Sequence, residues 1–138
     1  MRLLNTDTFY PHQQISVLFY SEKFALQRKD AAERLMRAWL RGARTYNDAV
    51  RDGHIAGAGA DAVVDIMAKN FSMDAALVRA MYAQAVATDG AVNAAGMQKD
   101  LDFFKSKSWV TGGIKASDVV DMSFAEKAAA ALGPYKRP

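Results

Sequence analysis

The chain has 138 residues, 51% apolar and 24% charged, with a formal charge of +3 and no cysteine. That is about one domain, apolar enough to bury a core and to argue against disorder. The missing cysteines exclude disulfides, a zinc–cysteine centre and a thiol nucleophile, and fit either the cytoplasm or the periplasm. Three excess positive charges fall far short of the dense basic clusters of a dedicated nucleic-acid binder.

Residues 1–14 read as irregular, with Pro11 as a breaker, and the start of the chain has no apolar signal core. No stretch approaches the roughly 18 apolar residues needed to cross a bilayer. Ile15 to Tyr20 (ISVLFY) is a short run rich in β-branched and aromatic residues, and reads as a buried strand. Almost everything after it reads as helix, so the strand arrives without a visible sheet, although a buried strand must pair.

Ser21 is placed to cap a short turn, SEKFALQ. Asp30 and Glu33 form a capping-box pattern that opens a long helix ending at Gly53. On that helix Leu35, Trp39, Ala43, Tyr46 and Val50 form an apolar stripe, with Arg34, Arg37, Arg41, Arg44 and Arg51 opposite. GHIAGAGAD is a glycine-rich connection. A helix follows over about Ala60 to Phe71, and Ser72 with Asp74 starts another through about Ala87, broken by the Thr88–Gly90 turn. Asn93 caps a helix with Met97, Leu101, Phe104 and Phe103 on its apolar side. Ser123 and Glu126 open a last helix, which Gly133-Pro134 ends. The fold expected is mainly α with one or two short strands.

The chemistry-bearing residues are few. The arginine stripe could meet phosphates, since guanidinium groups present a fork of donors. Asp30–Arg34, Glu33–Arg37 and Arg44–Asp48 are i,i+4 pairs on that face, however, the usual arrangement of a solvated helix side. His12 and His54 lie in different connections and make no metal-binding spacing. No nucleophile elbow or phosphate loop is present, and GHIAGAG follows a helix instead of the strand a dinucleotide loop needs. The Asp100/Asp102 and Asp118/Asp121 carboxylates stand at helix starts or on a mixed face, where Asp has capping and dipole roles. No catalytic group assembles, and no metal or cofactor is expected. Tyr10, His12, Gln13 and Gln14 stand just before the strand, a place where ligand-contacting groups often lie. An ordinary exposed loop is the blander alternative.

Four segments together carry a resemblance: ISVLFYSEKFA, AAERLMRAWLRGARTYNDAV, DGAVNAAGMQKDLDFFKSKSWV and DVVDMSFAEKAAAALGPYK. Their order and spacing, from about Gln14 to Lys136, resemble the C-terminal part of the substrate-binding proteins of nitrate/sulfonate/taurine-type ABC transporters. The most specific pieces are R-A-W-L-R-G-A around Leu40, D-F-F at Asp102–Phe104, and D-x-S-F-A at Asp121–Ala125. Lys29 and Ser108 depart from the family, where proline and glycine are frequent. Members are about twice as long, as two lobes of this fold require.

The resemblance implies the C-terminal portion of a two-lobed α/β periplasmic-binding-protein (type II) fold. Residues 1–14 would be the hinge or crossover segment, and residues 15–138 the C-terminal part of lobe 1. Ile15–Tyr20 would then enter a sheet formed by an N-terminal half outside this chain. The implied function is capture of a small molecule (a sulfonate, nitrate, taurine or a thiamine precursor) in the periplasm for an ABC permease, with no chemistry on the ligand and no nucleic acid. Tyr10, His12 and Gln13 are the ligand-binding candidates, by position, and the pocket is complete only with the N-terminal half. The unpaired run also predicts association of two copies as a homodimer, through strand pairing or exchange of segments. The rival reading is a self-contained helical interaction or regulatory module whose arginine face docks an acidic partner.

Overall fold

A computed structural model describes residues 8–138. Six helices dominate: α1 (Glu22–Gln27), α2 (Lys29–Ala49), α3 (Ala60–Phe71), α4 (Ala75–Ala80), α5 (Ala94–Ser106) and α6 (Ser123–Leu132). A 3-10 turn spans Ala116–Asp118, and two short strands, β1 (Val50–Arg51) and β2 (His54–Ile55), form an antiparallel hairpin. The chain is mainly α, as expected, but its sheet lies elsewhere than at Ile15–Tyr20.

The hairpin follows from Asp52-Gly53. Both residues have positive φ, 51° and 78°, as a two-residue turn between right-twisted strands requires. Gly53 is also the contact point for Tyr82: a Cβ there would lie 2.2 Å from the Tyr82 ring. The glycine that reads as a helix stop is thus the tip of a hairpin.

Local caps hold where one side chain meets one backbone group. Ser21 Oγ accepts from Phe24 N, and Asp74 Oδ1 accepts from Ala76 N and Leu77 N. Asn93 Oδ1 accepts from Gly96 N. Two capping boxes fail. Helix α2 begins at Lys29, before Asp30, with no side-chain cap. At α6, Asp121 rather than Ser123 supplies the acceptor, to Ser123 N at 2.8 Å.

The helix expected to run from Ser72 to about Ala87 stops at Ala80. Residues beyond it are claimed by neighbours: Ala83 N donates to Gly53 O, Tyr46 Oη to Gln84 O, and Asn47 Nδ2 to Val86 O. These bonds to the hairpin and α2 override the local helix preference of MYAQAVA.

One core cluster gathers Ala49, Ile55, Val63, Val64 and Val78 from α2, β2, α3 and α4. A second contact lays α6 along α2, burying Ala32, Leu40 and Ala43 on one side and Phe124, Ala125 and Ala128 on the other. The buried stripe of α2 keeps Ala43, and Tyr46 packs on the core cluster as expected, but at the N-terminal half it is rotated toward Ala32 and Leu40. Leu35 is 46% and Trp39 37% exposed, while Leu40 is fully buried. Small alanines set this face, because they let two helices approach closely.

Candidate functional site

The loop carrying the ligand candidates is docked on the first turns of α5. Tyr10 Oη donates to Asp100 Oδ1 at 2.7 Å. Asn93 Nδ2 donates to His12 O at 2.6 Å, and Asn93 N donates to Gln14 Oε1 at 2.8 Å. Gly96 permits the approach, since a Cβ there would stand 3.0 Å from His12 O. His12 has a φ of 62°, the left-handed conformation that turns the chain into the following run.

Among the three candidates, the structure ties up one side chain. The Asp100 hydrogen bond, then desolvation, holds the Tyr10 phenol above its ordinary pKa. His12 and Gln13 are exposed, and neither side chain has a hydrogen-bond partner among the described residues. Asn93, Asp100 and Gln14 organise this loop. Asn93 is legible as a helix cap, but its bond to His12 spans 81 residues and leaves no local signal.

After the loop, residues 15–19 form a strap without helix or strand partner. Its φ angles are negative throughout, and none of its backbone N–H or C=O groups bonds to another backbone group among the described residues. Ser16 O accepts from the Gln14 side chain. The far end is fixed at Tyr20, whose Oη donates to Ala32 O at 2.9 Å and whose ring meets Phe24 and Phe124 edge-on. Ile15 and Phe19 are 66% and 84% exposed. An apolar run of strand-like composition, clamped at both ends and open between, is the most unusual feature of the surface.

The remaining candidates take structural roles. Asp100 accepts from Tyr10 and Asp102 from Gln98; Asp118 accepts from Lys115 N and Asp121 from Ser123 N. No group of three or more metal-ligating side chains occurs among the described residues. His54 Nδ1 lies 3.1 Å from Met81 O, and its ring packs edge-on against Tyr82.

Arg44 leaves the wet face assigned to it. It is half-buried and donates through Nε to Thr88 O and through Nη1 to Leu132 O, satisfying an end carbonyl of α6. Its guanidinium also lies 5.8 Å from the centre of the Tyr135 ring. The groove beside it, about 430 Å³ and open to solvent, contains Thr88, Asp89, Gly133 and Tyr135. Two of the Arg44 donors go to backbone carbonyls, and the Asp89 carboxylate shares the groove, so Arg44 reads as a brace between α2 and the end of α6. The expected i,i+4 ion pairs do not form either. Glu33 pairs with Lys127 on α6 at 3.0 Å, and Asp48 accepts from Tyr135 Oη.

Exposed apolar side chains gather again at the end of α5, where Phe103, Phe104 and Trp109 touch with centroids 5.9–6.1 Å apart. No helix among the described residues is long and apolar enough to cross a membrane. A scan against protein-family models and searches of curated proteins and of solved structures returned no match for this chain.

Proposed function

We propose that this chain closes one lobe of a solute-binding protein of the nitrate/sulfonate/taurine transporter class, in the periplasm, and hands its ligand to an ABC permease. The observation that carries this reading is the strap at residues 15–19. It has the mostly apolar composition of a buried strand, interrupted at Ser16, yet its backbone is unpaired and its side chains are exposed. A strand so composed belongs inside a sheet that other residues must supply. The segment likeness supports the same assignment. In this reading His12 and Gln13 offer their free side chains to the cleft between lobes, and Tyr10 positions that loop through Asp100.

The native product is the test. It is recovered from its own cells by antibody to this chain, assigned to a compartment, and titrated calorimetrically with taurine, an alkylsulfonate, nitrate and an aminopyrimidine thiamine precursor. Saturable binding of one of them by a periplasmic species supports the reading. A cytoplasmic species that binds none overturns it.

A second reading has its own observation. Arg34, Arg37 and Arg41 are exposed on α2, and none has a carboxylate within 4.0 Å among the described residues. That basic face fits a helical interaction module with an acidic partner. Salt-sensitive recovery of such a partner with the native product, lost in Arg37→Glu, would favour it.

A further inference from the structure

We propose that the tip formed by the end of α5 and the turn after it docks on the headgroup region of an anionic lipid bilayer. Phe103, Phe104 and Trp109 enter that region, and Lys105, Lys107 and Lys115 meet the lipid charge. The proposal goes beyond solute capture and does not rest on it, since it uses the residues of this tip alone.

The tip is built before it meets a surface. Ser108 takes a left-handed φ of 57° just past α5, which turns the chain back over the helix end. Ser108 N donates to Lys105 O and Trp109 N to Phe104 O, the paired bonds of a Schellman motif. That motif brings Trp109 against Phe104, and the two rings stack with centroids 5.9 Å apart. One such apolar contact is all that closing a helix asks for. Here a third ring joins: Phe103 meets Trp109 at 90° and Phe104 at 62°. The cluster stands in water, with Trp109 70% and Phe103 51% exposed. Rings already fixed against one another lose little freedom on docking.

Charge decides the occupant. From Phe103 to Ser117 the chain carries Lys105, Lys107 and Lys115 and no carboxylate. The protein has 18 basic and 15 acidic side chains, so these three lysines equal its whole excess of +3. The carboxylates that flank this stretch are engaged: Asp102 accepts from Gln98 Nε2, and Asp118 from Lys115 N. Lys107 Nζ lies 5.6 Å from the centre of the Phe103 ring, so an ammonium sits on the aromatic cluster itself. Lys105 Nζ donates to Ile114 O, which ties the loop before Lys115 to the same helix end. Aromatic rings edged by lysines match a bilayer interface, where rings rest at headgroup level and ammonium groups meet lipid phosphate. The basic groups here are all lysine. A mobile point charge suits a fluid array of headgroups, whereas the fixed fork of arginine suits a defined carboxylate. The contact is peripheral, reversible and weakened by salt.

The experiment uses the full 138-residue chain with two kinds of vesicle, phosphatidylcholine alone and phosphatidylcholine mixed with phosphatidylglycerol. Trp39→Phe leaves Trp109 as the one tryptophan, so its emission reports the tip. The expected result is a blue shift on the mixed vesicles, with quenching by acyl-brominated lipid, and a far smaller change on the neutral ones. Cosedimentation should fall about 25-fold in Lys107→Gln/Lys115→Gln, at roughly fivefold per lysine near an anionic surface. It should also fall in Trp109→Ala. Circular dichroism shows whether each variant keeps its helices; if Trp109→Ala loosens α5, the two exposed lysines still carry the test. No shift on the mixed vesicles overturns the proposal, as does full-strength binding by the folded lysine variant. So does sedimentation with Trp109 unquenched, which puts residues 15–19 or the α2 arginines on the lipid instead. A blue shift with poly-glutamate but not with vesicles assigns the tip to an acidic protein and equally overturns it. None of these outcomes bears on whether the native product captures a solute, which the ligand titration decides separately.

Discussion

Tyr10 and Asp100, 90 residues apart, share a hydrogen bond of 2.7 Å that ties the loop before the strap to the middle of α5. The bond needs the phenol proton, so the Tyr10 pKa is raised above the ordinary value near ~10. A group whose folded pKa is raised contributes its stability below the unfolded pKa and loses it as pH rises through the folded one. The loop should therefore stay docked at neutral pH and loosen only on the alkaline side. Phenolate absorbance, followed in wild type and Asp100→Ala, should show one tyrosine titrating earlier in the variant. An unchanged titration curve would remove Asp100 as the cause.

Glu33 and Lys127 give the opposite sign. The Lys127 hydrogen bond lowers the Glu33 pKa, with further help from nearby Lys29 and Arg37. A lowered pKa contributes stability above the unfolded value that is lost as pH falls through the folded one. Carboxyl-carbon NMR of Glu33 should show its midpoint moving up in Lys127→Ala. The difference between wild type and variant should be present at neutral pH and vanish in acid.

The rotated face of α2 is open to a paired substitution. Leu40 is fully buried between α2 and α6, whereas Leu35 is 46% exposed. Leu40→Ala should cost about 3 kcal/mol in chemical denaturation. Leu35→Ala should cost less than about 1 kcal/mol. Equal costs would mean that α2 presents the larger residues to its neighbours.

That comparison also marks how far the sequence could be read. Caps such as Ser21, Asp74 and Asn93 are legible because a single side chain meets a backbone group two or three residues on. The stripe is right at Ala43 and Tyr46 but misleads at Leu35 and Trp39, because bulk dominates a periodic pattern while α2 also buries Ala32 and Leu40. Glu33 is drawn away from its own helix by Lys127, 94 residues later. No local pattern records that. The hairpin is missed: Asp52-Gly53 reads as a helix stop, because so short a ladder leaves no alternating run to find. For the candidate site, position before an apolar run pointed to Tyr10, His12 and Gln13. Nothing in the order of residues disclosed that Asp100 occupies the Tyr10 hydroxyl.

Asn93 joins the loop to α5 through three bonds: Oδ1 from Gly96 N, Nδ2 to His12 O, and its own N–H to Gln14 Oε1. Asn93→Ala should cost about 1–2 kcal/mol through the lost cap. Asn93→Asp keeps the acceptor but loses the donor to His12. Amide exchange should separate the two: both variants free the 10–14 loop, and only the alanine frays the start of α5. Protection of the loop in Asn93→Asp would argue that Gln14 and the Tyr10–Asp100 bond hold it without the Asn93 side chain.

The clamps on the strap have a consequence for the order of assembly. The residues that fix it, Asn93 and Asp100 on one side and Phe124 on the other, are translated long after residues 15–20. Gln14 waits 79 residues for Asn93. The most aggregation-prone segment of the chain thus leaves the ribosome early and is disciplined late, when α5 and α6 have formed. Contacts so distant in sequence slow folding, and a waiting apolar run is where chaperones bind. The window of risk closes only when Phe124, in the first turn of the last helix, has packed on Tyr20.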